Sequence, residues 1–156
     1  MCIAVYIGAD RELPLDNEVN GGYTTFHVEI ARRTTAKFQN ILAMPYIYYA
    51  GSFEGCGCGF QYMSRDQLEQ ELARTNDPED YELIENEWFQ QQKSVELLSK
   101  YLAKAVINGP VYVYITWEGN EGLPLHYQQT VTPDYFGGEC FKIEEHGLLT
   151  VVSEAQ

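Results

Sequence analysis

The chain has 156 residues, 45% hydrophobic and 21% charged, proportions ordinary for a globular protein and unlike those of a disordered or fibrous one. Its 10 basic and 23 acidic residues give a formal net charge of −13, and the nearest approach to a basic stripe is Arg32, Arg33 and Lys37. Nucleic acids and anionic membrane surfaces are held by Lys and Arg neutralising phosphates, so neither partner is expected.

The length suits a single domain, 1–156, built on one core. Residues 1–8 are apolar, but no basic residue precedes them and Asp10, Arg11 and Glu12 close the run. That is too short for a membrane span and lacks the charged flank of a signal peptide. A cytoplasmic location is therefore expected, with the four cysteines serving as thiols or metal ligands rather than structural disulfides.

Residues 2–7 read as a strand with Ile3, Val5 and Ile7 on one face and Cys2, Ala4 and Tyr6 on the other, apolar on both sides and so central in a sheet. Residues 13–22, with Pro14, Asp16, Asn17, Asn20 and two glycines, read as a loop. Residues 25–30 alternate, setting Phe26, Val28 and Ile30 against Thr25, His27 and Glu29, as a half-buried strand does. Residues 34–44 carry Phe38, Ile41 and Leu42 at a spacing that permits a helical turn or two before Pro45. The aromatic run 46–50 predicts a strand, and residues 58–63 are expected to return antiparallel to it across the glycine-rich segment 51–57.

Ser64 followed by Gln67 forms a capping-box pattern that opens a short helix through Leu68 and Leu72, expected to stop near Asn76, Asp77 and Pro78. Ile84, Trp88, Val95, Leu98, Leu102, Ala105 and Val106 recur at 3.6-residue steps and predict a long amphipathic helix over about 84–107, with Gly109 as its left-handed cap. Between Asp66 and Glu96 ten acids face two bases, the pattern of a solvated helical face. Residues 111–117 alternate as a strand, 118–124 form a loop bearing Glu118 and Glu121, and 127–131, 140–143 and 148–152 complete the strands. Glu145, His146 and Gly147 read as the turn before the last of these. The sum is an α+β fold of two layers, with the long helix and the short one packed on a face of a mixed or antiparallel sheet.

The segment with most chemistry is Gly55-Cys56-Gly57-Cys58-Gly59. Cysteines at i and i+2 of an extended segment point to one side and can offer two thiolates to one ion, zinc being the natural choice, with Cys140 and His27 as further ligands and Cys2, His126 and His146 also available. The bland alternative makes the glycines a tight turn and the thiols small core residues. A strained, easily reduced Cys56–Cys58 disulfide is another. Glu29 shares a strand face with His27 and could orient its imidazole. Glu118 and Glu121 could serve as ligands or bases.

Cys2 opens a different chemistry: with Met1 removed, its thiol would stand beside a free α-amino group able to act as base, the logic of N-terminal nucleophile hydrolases. The opening Met1-Cys2-Ile3-Ala4 resembles the Met-Cys-Gly-Ile start of class II glutamine amidotransferases over those residues alone, with Ile3 where the family has glycine. Tyr46, Tyr48, Tyr49, Tyr112 and Tyr114 fall in strands, and an open row of such rings would suit a homodimer interface. Function is thus expected to lie among a binding domain with a thiolate metal site, a thiol enzyme using Cys2 or the Cys56/Cys58 pair, and a noncatalytic self-associating protein.

Overall fold

A computed structural model describes residues 2–20, 23–32, 35–61, 63–138, 141, 143 and 146–154. Strands β1 (Ile3–Ala9), β2 (Asp16–Asn20), β3 (Tyr23–Ile30), β4 (Tyr46–Ser52), β5 (Val111–Trp117), β6 (Tyr127–Val131) and β7 (Gly147–Val151) form one sheet in the order β2-β3-β4-β1-β5-β7-β6. Every neighbouring pair is antiparallel except β6 and β7. Helix α1 (Ala36–Ile41) lies between β3 and β4 in the chain, and α2 (Arg65–Ala73) and α3 (Pro78–Ala105) lie between β4 and β5. The α+β architecture with a mixed sheet is the expected one.

β1 sits between β4 and β5, which explains why its residues are apolar on both sides. Val5 and Ile7 face α3, whose Val95, Leu98 and Leu102 are buried against them in the main core. Burying Leu98 or Leu102 contributes about 1.5–3 kcal/mol apiece. Ala4 and Tyr6 face the other way, into a second cluster with Phe38 of α1, Leu42 at its C-cap and Tyr114 of β5. Ser64 caps α2 with the reciprocal bonds of a capping box, and α2 packs on α3, Leu68 being its buried residue.

Four expectations need correction. Residues 16–20 are strand, not loop: β2 pairs with β3 from Asp16↔Val28 onward, with a register shift after Glu18. Its polar sequence suits an edge, where ladder bonds rather than burial hold the strand. The described residues of 58–63 do not return as a strand, because Gly57–Gly59 make a 3-10 turn that drops Phe60 into the core. Phe141 and Ile143 are not in a strand. Gly109 has φ 139° and ψ 170°, an extended glycine conformation rather than a left-handed cap.

The long helix also starts earlier than its apolar pattern. Asp77 caps it by accepting from Glu79 N–H, Pro78 takes the first turn, and Glu79 and Asp80 lie at the positive end of its dipole. The acids of 66–96 are exposed apart from half-buried Glu71, as a solvated face requires. Among the described residues no helix is long and apolar enough to cross a membrane.

At the other end of α3 the Arg11 guanidinium donates to the carbonyls of Ala105 and, at 2.7 Å, Gly109. A cation there meets the negative end of the helix and satisfies carbonyls that have no partner within it. Arg11→Ala should lower the unfolding free energy by about 1 kcal/mol in chemical denaturation. An unchanged midpoint would show that the contact contributes nothing.

Candidate functional site

β4 ends at Ser52, which is fully buried. Its hydroxyl donates to Cys56 O at 2.7 Å and accepts from Gly59 N–H at 3.0 Å and Glu54 N–H at 3.3 Å, while its own N–H donates to Cys56 O at 2.8 Å. One serine thus closes the loop that carries both cysteines. Gly57 then lies so near β1 that a Cβ would stand 2.9 Å from Ile3 O and 2.8 Å from a Val5 methyl. Only a residue without a side chain permits that approach.

The approach brings the loop to the start of β1. Ile3 N–H donates to Cys58 Sγ at 3.2 Å, taking the place of a ladder bond to β4, whose pairing with β1 runs from Val5 to Ala9. Cys2 Sγ, Cys56 Sγ and Cys58 Sγ all lie within 4.8 Å of one another. Cys56 is buried and the other two are half-buried. The Cys56 thiol is pushed up to about 12, first by burial and then by its sulfur neighbours.

The other sequence-derived candidates fall elsewhere. His27 lies across β4 with its ring over Gly51 and 6.2 Å from the Tyr49 ring, outside the sulfur group. Cys140 and Met1 lie outside the described residues, as does Glu145. His146 is buried at φ 56°, with Nδ1 3.2 Å from Thr116 Oγ1 and its ring 5.0 Å from His126.

Beside the thiols lies a second feature that sequence reading missed. Tyr49 of β4, Tyr6 of β1 and Tyr114 of β5 are register partners in one row across the sheet. Their hydroxyls all meet the loop after β5: Tyr49 donates to Glu118 at 2.9 Å, Tyr6 donates to Glu121 at 3.0 Å, and Tyr114 accepts from Gly122 N–H at 3.0 Å. Gly119 N–H holds the other Glu121 oxygen at 2.9 Å, and Glu118 N–H donates to Cys2 O at 2.8 Å. The loop therefore joins the sulfur group to an open cavity of about 840 Å³ bordered by Tyr6, Tyr49, Phe38, Glu29, Glu118 and Glu121. Tyr6 and Tyr114 are covered, so this row is not an open aromatic face.

Compared with protein-family models, with curated proteins and with solved structures, the chain finds no match. The chemistry of the site must be read from its own residues.

Thiolate character governs alkylation. Raised and buried, Cys56 should be the last of the three clustered cysteines to react with iodoacetamide at pH 8, followed by peptide mass spectrometry. Reaction of Cys56 ahead of Cys2 and Cys58 would contradict the packing described.

Burial and the facing carboxylates push Tyr6 and Tyr49 well above the ordinary phenol value of 10.0, and burial does the same for Tyr101. The neutral phenol is favoured in the folded chain, so this stabilisation is complete below pH 10 and is lost as pH rises past it. Three of the 12 tyrosines should therefore ionise only together with alkaline unfolding, seen as a late step in tyrosinate absorbance. A single smooth titration of all of them with the fold intact would count against the Tyr–Glu pairs.

Proposed function

We propose that the chain is a small binding domain whose centre is a zinc site formed by the thiolates of Cys2, Cys56 and Cys58. The carrying observation is the convergence of three sulfurs, from the start of β1 and from the Ser52 loop, within 4.8 Å. Zinc–sulfur bonds of about 2.3 Å in tetrahedral geometry put the sulfurs about 3.8 Å apart, so shifts of about 1 Å complete the arrangement. The donor set fits a borderline-soft ion and is unsuited to magnesium or calcium, which take oxygen ligands. The Ile3 N–H bond to Cys58 Sγ is of the kind that orients and tunes a ligating sulfur.

Three protein ligands leave the fourth position to water or a small ligand, as in an open site. Bound zinc would supply a Lewis-acidic centre there. The chain's own part is to hold the thiols together and to shed their protons. Because the Cys56 thiol is protonated at neutral pH, uptake should release protons and apparent affinity should rise with pH.

Titration of the reduced, metal-free chain with Co(II) and then Zn(II) tests this. The expected result is one metal per chain with intense thiolate-to-cobalt absorption, and about a hundredfold or greater loss of affinity in Cys56→Ser and in Cys58→Ser. Ser52→Ala should weaken binding about 10–100-fold through the loop alone. A folded chain that takes up no metal at equimolar zinc would end the reading.

The same convergence supports a second reading, a thiol–disulfide couple in which an oxidant removes two electrons and two protons from two clustered thiols and leaves one S–S bond. Mild hydrogen peroxide, itself reduced to water, should then lower the intact mass by about 2 Da in wild type and not in a chain with Cys2, Cys56 and Cys58 all replaced by Ser.

A further inference from the structure

The geometry points to the cavity over Tyr6 and Tyr49 as a binding site for a small organic ammonium ion. Its volume of about 840 Å³ is that of a small-molecule site and far exceeds a bare ion. Among the described residues three carboxylates, Glu29, Glu118 and Glu121, border it against one guanidinium, Arg32, a formal charge of −2 in a chain already at −13. The field in such a basin draws cations and repels anions.

Two observations separate an organic cation from a metal. First, among the described residues no three carboxylates bring their oxygens within 4.8 Å of one another, so the acids are spread around the cavity rather than converged on one point as in an all-carboxylate calcium cage. Second, the half-buried ring of Tyr49 borders the cavity, with the buried rings of Tyr6 and Phe38 packed beneath. The Tyr6 ring meets Phe38 at 82° with centroids 4.7 Å apart, and Tyr49 at 76° and 5.6 Å, so neighbouring ring planes stand nearly perpendicular at the floor. Tyr49 is the more accessible of the two tyrosines, and a cation over its face would gain from the ring quadrupole as well as from the carboxylates.

The hydrogen bonds fit the same occupant. Tyr49 and Tyr6 already direct their O–H donors at Glu118 and Glu121, so neither hydroxyl competes as a donor for the ligand. Glu121 is fixed at both oxygens, by Tyr6 and by Gly119 N–H, so its charge is in place before a ligand arrives. This inference does not rest on the zinc reading, since none of the cavity's residues is one of the three cysteines.

The test uses the full chain, reduced and in the presence of a chelator, so that the metal proposal cannot affect the outcome. Choline, n-propylammonium and spermidine are titrated beside 3,3-dimethylbutan-1-ol, the uncharged counterpart of choline, with amide chemical shifts as the readout. At least one ammonium ion should give saturable shifts centred on Tyr49, Gly119 and Glu121, with the neutral alcohol about tenfold weaker or worse. Tyr49→Leu should weaken binding about tenfold while Tyr49→Phe, which keeps the ring and loses only the hydroxyl, retains most of it. The proposal is overturned if none of the three cations gives saturable shifts at millimolar concentration or if the alcohol binds as well as choline. Equal losses in Tyr49→Phe and Tyr49→Leu would also overturn it, reducing the tyrosine to a prop for the loop.

Discussion

The hydroxyl of Ser52 holds the rest of the site in place. Buried at the end of β4, it binds the carbonyl of Cys56 and the N–H of Gly59 at once, and so closes a loop that would otherwise leave the sheet. The closure lets Gly57 lie against the β1 backbone and carries Cys58 to the N–H of Ile3. A buried hydroxyl with its partners removed costs about 1–3 kcal/mol, a large part of the stability of a domain this size. The thiols meet because that small polar network sits at the junction of two strands that are already fixed by the main core.

The central strands were legible because burial on both faces leaves a mark in sequence: residues 2–7 and 111–117 could hardly be anything else. β2 left no such mark, since an edge strand of Asp, Asn and Glu is held by ladder bonds that composition does not record. The start of α3 was missed for a related reason. Its first turns are exposed and owe their form to a cap, a proline and helix-end charges rather than to an apolar stripe. At the site, the spacing of Cys56 and Cys58 was visible, but the addition of Cys2 required a contact more than fifty residues away in sequence. His27, which shares a strand with core residues and carries a carboxylate two positions on, gave a plausible sequence signal and lies apart from the sulfurs.

The tyrosine row teaches the same lesson about register. Tyr49, Tyr6 and Tyr114 are scattered in sequence and become neighbours only because β4, β1 and β5 are adjacent in a fixed alignment. Once aligned, their hydroxyls all reach the short loop bearing Glu118 and Glu121, two acids that the sequence offered as ligands or bases without showing what they meet. That loop reaches the backbone carbonyl of Cys2 through Glu118 N–H and borders the cavity through its carboxylates. The proposed thiolate centre and the proposed cation site therefore adjoin through that loop.

X-ray absorption at the zinc edge of the loaded, reduced chain addresses the thiolate centre most directly. The account predicts a first shell of three sulfurs at about 2.3 Å and one lighter atom, and loss of a sulfur from that shell in Cys58→Ser. A shell of nitrogen and oxygen alone, or one unaltered by replacing Cys58, would place the metal away from these three residues and contradict it.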